Sequence, residues 1–345
     1  MRVLIKSLDI SQVHDSHPEG KGRRTEEVES RGYGYGRNSF VMLIAVLLVG
    51  VGAGMALPEF YHTTEEVRGL IKELTEVDGP VHALLTDSVD AVDVYTEGSG
   101  KLQVTVICGE HPRELISVET CLAILRKVLA SEEALALASL RIILNANPET
   151  RKQVEAGDYC LRTNPNGVDI NRNWDLHWKT ENCEAVSDEC PGVTPMSEPE
   201  VLEIQQLLAS APPDVFITVH SGSYALLTPF AYDTEPATVD IAEMLTALTA
   251  ASKDLLPHVE IGQTADILKY RCPGNLLDYV YSHTEARIVA VFEVYSQHSP
   301  FASFLSDHTS CFQTFNPHDP VLYAEVVDLW SEVFLRLLLQ LDTNP

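Results

Sequence analysis

Short apolar runs alternate with segments of helical spacing along most of the chain. The apolar runs, which hold few charged residues, cover residues 101–107, 141–147, 214–220 and 287–295. Continuous runs of this kind are typical of strands that are covered on both faces of a sheet. Helical spacing occurs at residues 113–129, 197–209 and 320–341. This alternation predicts an α/β fold in which a mixed, mostly parallel central β-sheet is flanked by helices.

The predicted domain covers residues 59–345. Thr63 and Glu66 have the spacing of a capping box, so a helix should begin there and continue towards Val77. Neither an internal repeat nor a linker interrupts the chain beyond that point, which favours a single domain. Residues 1–38 are rich in Gly, Ser, Arg and Glu and have no sustained apolar period, which predicts a disordered tail.

A strongly apolar segment separates the tail from the domain. Within the segment 39–57, 18 consecutive residues carry no charge. As a helix they would extend for about 27 Å, close to the thickness of a bilayer core. The segment predicts either an uncleaved signal-anchor transmembrane helix or a cleavable signal peptide, for which Gly54 and Ala56 provide small residues at the cleavage site. Translation from Met42 would give an ordinary signal peptide, and a buried internal helix is the remaining alternative.

Charges on either side of the apolar segment predict its orientation. Arg31 and Arg37 precede the segment, and glutamates follow it at positions 59, 65 and 66. By the positive-inside rule, the tail stays in the cytosol and the domain crosses the membrane. We therefore expect a protein of the secretory pathway, either single-pass with a lumenal or extracellular domain, or secreted after cleavage. In that oxidising compartment Cys183 and Cys190 are candidates for disulfides, although the odd total of seven cysteines excludes complete pairing.

The composition excludes some classes of protein. Hydrophobic residues make up 45% of the chain, enough to bury a core, so the chain as a whole is not disordered. Lys and Arg number 24 against 50 Asp and Glu, which gives a net charge of −26. Such a surface repels phosphate backbones and argues against nucleic acid as a partner. The composition does not predict an oligomeric state.

Three of the predicted strands lead into residues that are suited to catalysis. The first strand runs into His111 and Glu114, the third ends in His220, and the last contains Glu293. Ligands of open α/β sheets gather at the carboxyl ends of the strands. A His and a Glu three residues apart at a strand-to-helix turn can bind a zinc ion, although this spacing alone is a weak signal.

Five segments of the chain are distinctive in sequence and in order. They are GEHPRELIS (109–117), CLRTNPNGVDINRNWD (160–175), SEPE (197–200), TVHSGSYALLTPF (218–230) and FEVYS (292–296). Together they resemble the zinc carboxypeptidase family of the pancreatic carboxypeptidases A and B, and YHTTEEV (61–67) is similar to the usual start of that family's domain. The resemblance covers essentially all of residues 59–345 and implies the zinc carboxypeptidase fold.

The resemblance implies a zinc centre and its catalytic partners. His111, Glu114 and His220 match the family's zinc ligands, which would hold one Zn²⁺ per chain and leave one position open for water. Glu293 matches the catalytic glutamate, which takes a proton from that water and passes it to the leaving amine. Arg162 matches the arginine that polarises the scissile carbonyl and stabilises the oxyanion.

The resemblance also implies how the substrate is recognised. Asn171 and Arg172 match the pair that holds the C-terminal carboxylate of the substrate, a role for which the planar fork of arginine is well suited. Arg113 and Ser221 match further substrate-binding positions. The C-termini of peptides and proteins are therefore the expected substrates.

Two more positions concern the closing and the selectivity of the site. Tyr270 matches the tyrosine that closes over bound substrate, although CPGN (272–275) replaces the small residues that the family carries next to it. Leu277 stands where members specific for basic residues carry an acid. The resemblance therefore implies a preference for apolar or aromatic C-terminal residues, since a cationic side chain would be buried against leucine. Asp266 is an acidic residue that could enter the pocket instead.

The expected function is that of a zinc-dependent metallocarboxypeptidase, which hydrolyses the C-terminal peptide bond through a zinc-activated water and a glutamate base. Two alternatives remain open: a zinc amidase or isopeptidase of the same fold, and a catalytically silent binding module presented on a membrane. The few residues between Leu57 and the YHTTEEV segment leave no room for a folded pro-domain, which predicts a bare catalytic domain.

Overall fold

The computed structural model describes residues 56–76, 79–96, 102–180, 188–235, 240–297 and 311–341. All of them belong to one compact unit, which covers residues 53–345. The tail and nearly all of the apolar segment at 39–57 lie outside the described residues, so the structural expectations for them stay predictions. Among the described helices, none is both long enough and apolar enough to cross a bilayer.

A single mixed sheet forms the centre of the described domain. Its strands are β1 (Val81–Leu85), β2 (Asp90–Val94), β3 (Leu102–Cys108), β4 (Ala138–Asn145), β5 (Val215–His220), β6 (Tyr224–Thr228), β7 (Glu260–Gln263) and β8 (Ile288–Val294). They lie in the order β1-β2-β4-β3-β5-β8-β6-β7. The central strands β4, β3, β5 and β8 pair in parallel, as do β6 and β7, while the other pairings are antiparallel. The predicted fold class is confirmed.

Helices connect the strands and flank the sheet. They are α1 (Thr64–Glu76), α2 (Leu115–Ala130), α3 (Glu132–Leu137), α4 (Pro148–Glu155), α5 (Pro199–Ser210), α6 (Asp240–Ser252), α7 (Thr264–Leu268), α8 (Leu276–His283), α9 (Cys311–Phe315) and α10 (Pro320–Leu341). The predicted capping box at α1 is present, because the Thr63 amide donates to Glu66 Oε2 at 2.8 Å and the Glu66 amide donates to Thr63 Oγ1 at 3.3 Å. The helix predicted at 320–341 is α10.

The central strands are covered on both faces, as their continuous apolar runs predict. Every residue of β5 is buried, and so is every residue of β8 except Glu293. Helix α10 packs against α2 and buries Trp330 completely. Because β3, β5 and β8 are parallel neighbours, their carboxyl ends meet at one edge of the sheet. The polar residues that follow these strands are therefore brought together there.

Disulfides cross-link the described domain at several places. Cys108 at the end of β3 is bonded to Cys121 on α2, and Cys160 is bonded to Cys311 at the start of α9. Cys190 is also disulfide-bonded, in line with its prediction as a disulfide candidate, whereas the other candidate, Cys183, lies outside the described residues. Among the described cysteines, Cys272 is free and buried.

Candidate functional site

The turn after β3 brings the first predicted ligands into the site. Gly109 has a φ of 75°, and a Cβ there would lie only 3.0 Å from the Asn145 Oδ1 atom, so this turn requires glycine. Glu114 then occupies the N-cap position of α2, but its side chain makes no capping hydrogen bond. The helix predicted from residue 113 therefore begins at Leu115, and the Glu114 carboxylate is free to face the sheet edge.

Two side chains from the turn between β3 and α2 and one from the end of β5 converge on one point. Nδ1 of His111 lies 2.7 Å from Glu114 Oε1, and Nδ1 of His220 lies 3.1 Å from Glu114 Oε2 and 3.2 Å from Nδ1 of His111. All three residues are buried, and together they form a group that could hold a metal ion. Two histidines and one glutamate are the donors of catalytic zinc sites, which keep a further position open.

The electrostatics of this group favour a bound cation. Burial alone would raise the pKa of Glu114, but His111 and His220 hold it well below its ordinary value. Burial opposes protonation of His220, yet hydrogen bonds to Glu110 and Glu114 raise its pKa well above the ordinary value. The site therefore attracts positive charge, and a metal ion would compete with protons for the same nitrogen atoms.

Glu293 lies on the strand next to the metal-ligand group. It stands opposite His220 in the parallel pairing of β5 and β8. The Ser223 amide donates to its Oε2 at 3.3 Å. Burial raises the pKa of Glu293 above its ordinary value, although the nearby His220 opposes the shift. A carboxylate in this setting can accept a proton and later return it.

Arg162 brings a fixed positive charge to the ligand group. Its Nε donates to Asp169 Oδ2 at 2.8 Å, and its Nη1 lies 3.4 Å from Nδ1 of His111. Burial would raise the pKa of Asp169, but Arg162 and Arg172 hold it well below its ordinary value. The same carboxylate reaches His111 through Oδ1, which lies 3.3 Å from Nε2 of the ring. Asp169 thus positions both the Arg162 guanidinium and the ring of His111, a candidate metal ligand.

Asn171 and Arg172 lie on a short 3₁₀ turn, Ile170–Arg172, that Asp169 caps. The Asn171 side chain accepts a hydrogen bond from the Leu276 amide at 2.9 Å. Arg172 is almost fully buried, and its Nη2 donates to Glu189 Oε1 at 3.4 Å and to Cys272 Sγ at 3.5 Å. The long contact to an exposed carboxylate leaves the guanidinium able to bind a substrate carboxylate instead.

The two additional predicted substrate contacts are both close to Glu114: Arg113 precedes it in the chain and Ser221 contacts its carboxylate. The Arg113 guanidinium lies over the ring of Phe315, 4.4 Å from its centroid, and donates to Asp188 Oδ2 at 2.8 Å. The Ser221 amide donates to Glu114 Oε2 at 3.0 Å and so holds that ligand in place. The buried Ser221 hydroxyl has no hydrogen-bond partner in the described part of the chain.

Tyr270 and Leu277 both line the cleft. Tyr270 is 50% exposed and follows Lys269, whose left-handed conformation ends α7. Leu277 is buried in the first turn of α8, where it lines the cleft. Asp266 is exposed and is not among the residues that line this cleft.

The structure brings all of the predicted site residues into one cleft of about 370 Å³. Its lining includes the three predicted metal ligands, both predicted catalytic residues and all six predicted substrate contacts: His111, Glu114, His220, Glu293, Arg162, Asn171, Arg172, Tyr270, Leu277, Arg113 and Ser221. The cleft also includes Cys272 and Phe315, which the sequence analysis did not single out. Asp169 was missed as well, although its position two residues before Asn171 in the same motif is a usable signal.

Known proteins are similar to this chain in sequence and in fold. The sequence pattern of a family described as "zinc carboxypeptidase" matches residues 75–320. The zinc carboxypeptidase A 1 of Anopheles gambiae is 27% identical over 267 residues, which are 68% of this chain and 60% of that protein. Carboxypeptidase A1 of Rattus norvegicus is 34% identical over 141 residues, which are 39% of this chain and 32% of that protein. The chain thus matches less than two thirds of the length of these relatives.

Solved structures share the fold. Bovine thrombin-activatable fibrinolysis inhibitor, solved in complex with a tick carboxypeptidase inhibitor, superposes with a TM-score of 0.66 at 20% identity, covering 83% of this chain and 98% of that chain. Carboxypeptidase A from Helicoverpa armigera superposes with a TM-score of 0.61 at 20% identity, covering 79% of this chain and 74% of that chain. At this level of identity, the likeness concerns the architecture alone.

Proposed function

Because the chain belongs to the zinc carboxypeptidase family, we propose that it is a zinc metallocarboxypeptidase that hydrolyses the C-terminal peptide bond of peptides and proteins. The observation that carries the proposal is the convergence of the His111, Glu114 and His220 ligand atoms beside Glu293. Arg172, which can bind a carboxylate, lies in the same cleft. Zinc bound by these ligands supplies Lewis-acid chemistry and lowers the pKa of a bound water.

Glu293 and Arg162 are the proposed catalytic residues. Glu293 takes a proton from the attacking water and delivers it to the leaving amine, a double role that its raised pKa supports. Arg162 aims its guanidinium at the ligand group, where negative charge develops on the scissile carbonyl oxygen. Its ion pair with Asp169 keeps that donor fixed, so little reorganisation is needed when the charge appears.

Recognition of the substrate carboxylate is assigned to Asn171 and Arg172. Arg172 offers parallel N–H donors, and its contact with Glu189 is replaced when a substrate carboxylate arrives. Arg113 and Ser221 contact the substrate on the upstream side. Tyr270, which is half exposed at the rim of the cleft, closes over the bound substrate.

The preferred C-terminal residue is apolar or aromatic. The cleft lining includes four large apolar side chains: Leu227, Leu268, Leu277 and Val291. A lysine or arginine side chain that is buried against these apolar residues would lose its hydration without gaining a charged partner from them, which is unfavourable. Asp266 does not supply that partner, because it is exposed outside the cleft lining.

The disulfides support a site of action in an oxidising compartment. Cytosolic thiols are kept reduced, and disulfides persist mainly in secreted and lumenal proteins. Three of the described features fit this placement: the Cys108–Cys121 bond, the Cys160–Cys311 bond and the bonded state of Cys190. We infer entry into the secretory pathway through the segment 39–57, which anchors the protein in the membrane if it is not cleaved.

The experiment that tests the proposed function compares blocked dipeptides with free and amidated C-termini. The purified protein should cleave the free acids ending in Phe or Leu, and should leave the amides and Lys-terminated peptides nearly uncleaved. A chelator should abolish cleavage and zinc should restore it. Equal cleavage of free and amidated substrates would point to an amidase, and no cleavage of any substrate by the zinc-loaded protein would point to a binding module. Either result overturns the proposal.

A further inference from the structure

Glu110 is a buried carboxylate that none of the proposed roles uses. It is 1% exposed, and its Oε2 lies 3.0 Å from Nε2 of His220 and accepts a hydrogen bond from the Thr218 hydroxyl at 2.5 Å. Its other oxygen, Oε1, has no hydrogen-bond partner in the described part of the chain. A carboxylate is costly to bury, so one that is buried and only partly satisfied requires an explanation.

The strand order places Glu110 next to His220. Strands β3 and β5 are parallel neighbours in which Cys108 stands opposite Val219. A residue two positions beyond the end of β3 therefore lies next to the end of β5, where His220 is located. Glu110 contacts Nε2 of that ring, whereas Glu114 contacts Nδ1. Glu110 thus lies behind the ligand and is not a fourth ligand itself.

The atoms around His220 Nε2 determine whether this ring nitrogen carries a hydrogen. Glu110 Oε2 lies at 3.0 Å, Thr218 Oγ1 at 3.1 Å and Asn171 Nδ2 at 3.4 Å. Glu110 Oε2 is the nearest of these atoms and can only accept, the Thr218 hydroxyl donates its own hydrogen to Glu110, and the Asn171 amide nitrogen, which is a donor, lies farthest away. The network therefore assigns the hydrogen to Nε2, which donates it to Glu110 and leaves the Nδ1 lone pair facing the ligand group.

The other histidine has the same arrangement. His111 Nε2 lies 3.3 Å from Asp169 Oδ1, while its Nδ1 faces the ligand group. Each histidine thus has its own buried carboxylate on the ring nitrogen that points away from the metal position. Carboxylates placed in this way fix the tautomer and orientation of a metal-bound imidazole and make it a stronger ligand.

We propose that Glu110 is a positioning residue that holds His220 in its metal-binding tautomer and orientation and thereby strengthens zinc binding. The inference rests on the proposed zinc site but not on the substrate or reaction assigned to it. The competing account is that Glu110 and His220 form an ion pair that only stabilises the fold. The two accounts differ in what they predict for zinc affinity.

The test is the zinc dissociation constant of Glu110→Gln, measured without substrate by competition with a chelator of known affinity. Glutamine keeps the size of the side chain but removes its charge. We expect the dissociation constant for zinc to rise about 10-fold to 100-fold, as is typical when such a partner is lost. The absorption spectrum of the cobalt-substituted protein should also change, because the orientation of one ligand is no longer fixed.

The matched control is Glu119→Gln. Glu119 is a buried carboxylate that lies 2.7 Å from Nδ1 of His62 and is not among the residues that line the cleft. The Glu119→Gln variant should keep its zinc dissociation constant within about threefold of the wild-type value, even if the substitution lowers the melting temperature.

A second variant keeps the proposal testable if Glu110→Gln does not fold. Glu110→Asp retains the charge but shortens the reach to Nε2, so zinc binding should weaken and excess zinc should restore the bound state. Wild-type zinc affinity in either folded variant overturns the proposal. A wild-type protein that binds no zinc overturns the proposed function as well, whereas cleavage of unexpected substrates leaves this inference untouched.

Discussion

Glu293 and His220 are opposite residues on adjacent parallel strands, so the candidate base and a candidate ligand are held by the same backbone hydrogen bonds. Rigid placement of this kind matters because proton transfer requires the base within hydrogen-bond reach of the water. The Ser223 amide holds one carboxylate oxygen of Glu293 and leaves the other available. The proposed chemistry therefore depends on the charge of Glu293 rather than on its shape.

Replacing Glu293 with glutamine tests that dependence. Glu293→Gln keeps the size and the amide contact but removes the base, so kcat should fall by about 10²-fold to 10⁴-fold while KM changes little. Steady-state kinetics and zinc content are to be measured together. Glu285→Gln, at an exposed position, is the matched control and should behave as wild type. Near-wild-type kcat in a zinc-loaded Glu293→Gln protein would contradict the proposed role.

Arg172 is predicted to control the choice between free and blocked C-termini. Arg172→Ala removes the donors for the substrate carboxylate, so KM for free acids should rise and the preference over amides should narrow. Some loss of kcat should accompany this change, because a misplaced scissile bond reacts slowly. Arg172→Lys, which keeps the charge but loses the planar fork, should give an intermediate preference. Unchanged discrimination in Arg172→Ala would exclude the assigned role.

At the scale of the elements, the loop before α8 packs against the 3₁₀ turn that carries Asn171 and Arg172. Gly274 has a φ of 69°, and a Cβ there would overlap the carbonyl oxygen of Arg172, so the two segments can approach only at glycine. Asn275 caps α8 by accepting from the Asp278 amide at 2.8 Å. The Asp278 carboxylate in turn accepts from the Ala231 amide at 3.0 Å. These contacts hold the first turn of α8, and with it Leu277, in the cleft lining.

Removing the cap of α8 should affect both stability and substrate binding. Asn275→Ala deletes the cap and should lower the free energy of unfolding by about 2 kcal/mol, and it should raise KM because Leu277 is less well fixed. The control is Ser131→Ala, which removes the N-cap of α3 outside the cleft. It should lower stability by about 1 kcal/mol and leave KM unchanged. Urea denaturation and kinetics measure the two effects. An unchanged KM in Asn275→Ala would contradict the proposed dependence of substrate binding on the α8 cap.

The elements that the sequence predicts best are those with a strong local pattern. The buried runs of β3, β5 and β8 and the long helix α10 were predicted close to their observed bounds. The edge strand β1 was not predicted, because its five residues are only partly buried and show no clear alternation. Likewise, the contact of Glu110 with His220 spans 110 positions of sequence and depends on the order of strands in the sheet, which local patterns do not determine.

At the scale of the whole molecule, the Cys160–Cys311 bond ties the last part of the chain to the loop that carries Arg162. It closes a loop of 151 residues, and the entropy of such a loop in the unfolded chain is worth about 5 kcal/mol of stability. Cys160 is exposed and Cys311 only partly buried, so alanine at both positions removes little packing. The bond also fixes α9, which carries Phe315 against Arg113.

The double variant Cys160→Ala, Cys311→Ala should therefore unfold at a clearly lower urea concentration, with a loss of about 4–5 kcal/mol. The comparison is Cys108→Ala, Cys121→Ala, whose bond closes a loop of 13 residues and should contribute about 3 kcal/mol through loop entropy. Because that second pair is buried, its cavity adds to the measured loss. A loss below about 2 kcal/mol for the long loop would contradict the estimate from chain entropy.

The central claim is that one zinc ion, held by His111, Glu114 and His220, enables the protein to remove single residues from a free C-terminus. The most direct measurement follows the masses of the products from an unblocked peptide that ends in two apolar residues, before and after one equivalent of zinc is added to metal-free protein. The account predicts no change without zinc and stepwise loss of the C-terminal residues with it. Internal cleavage, or the same products in the absence of any metal, would contradict it.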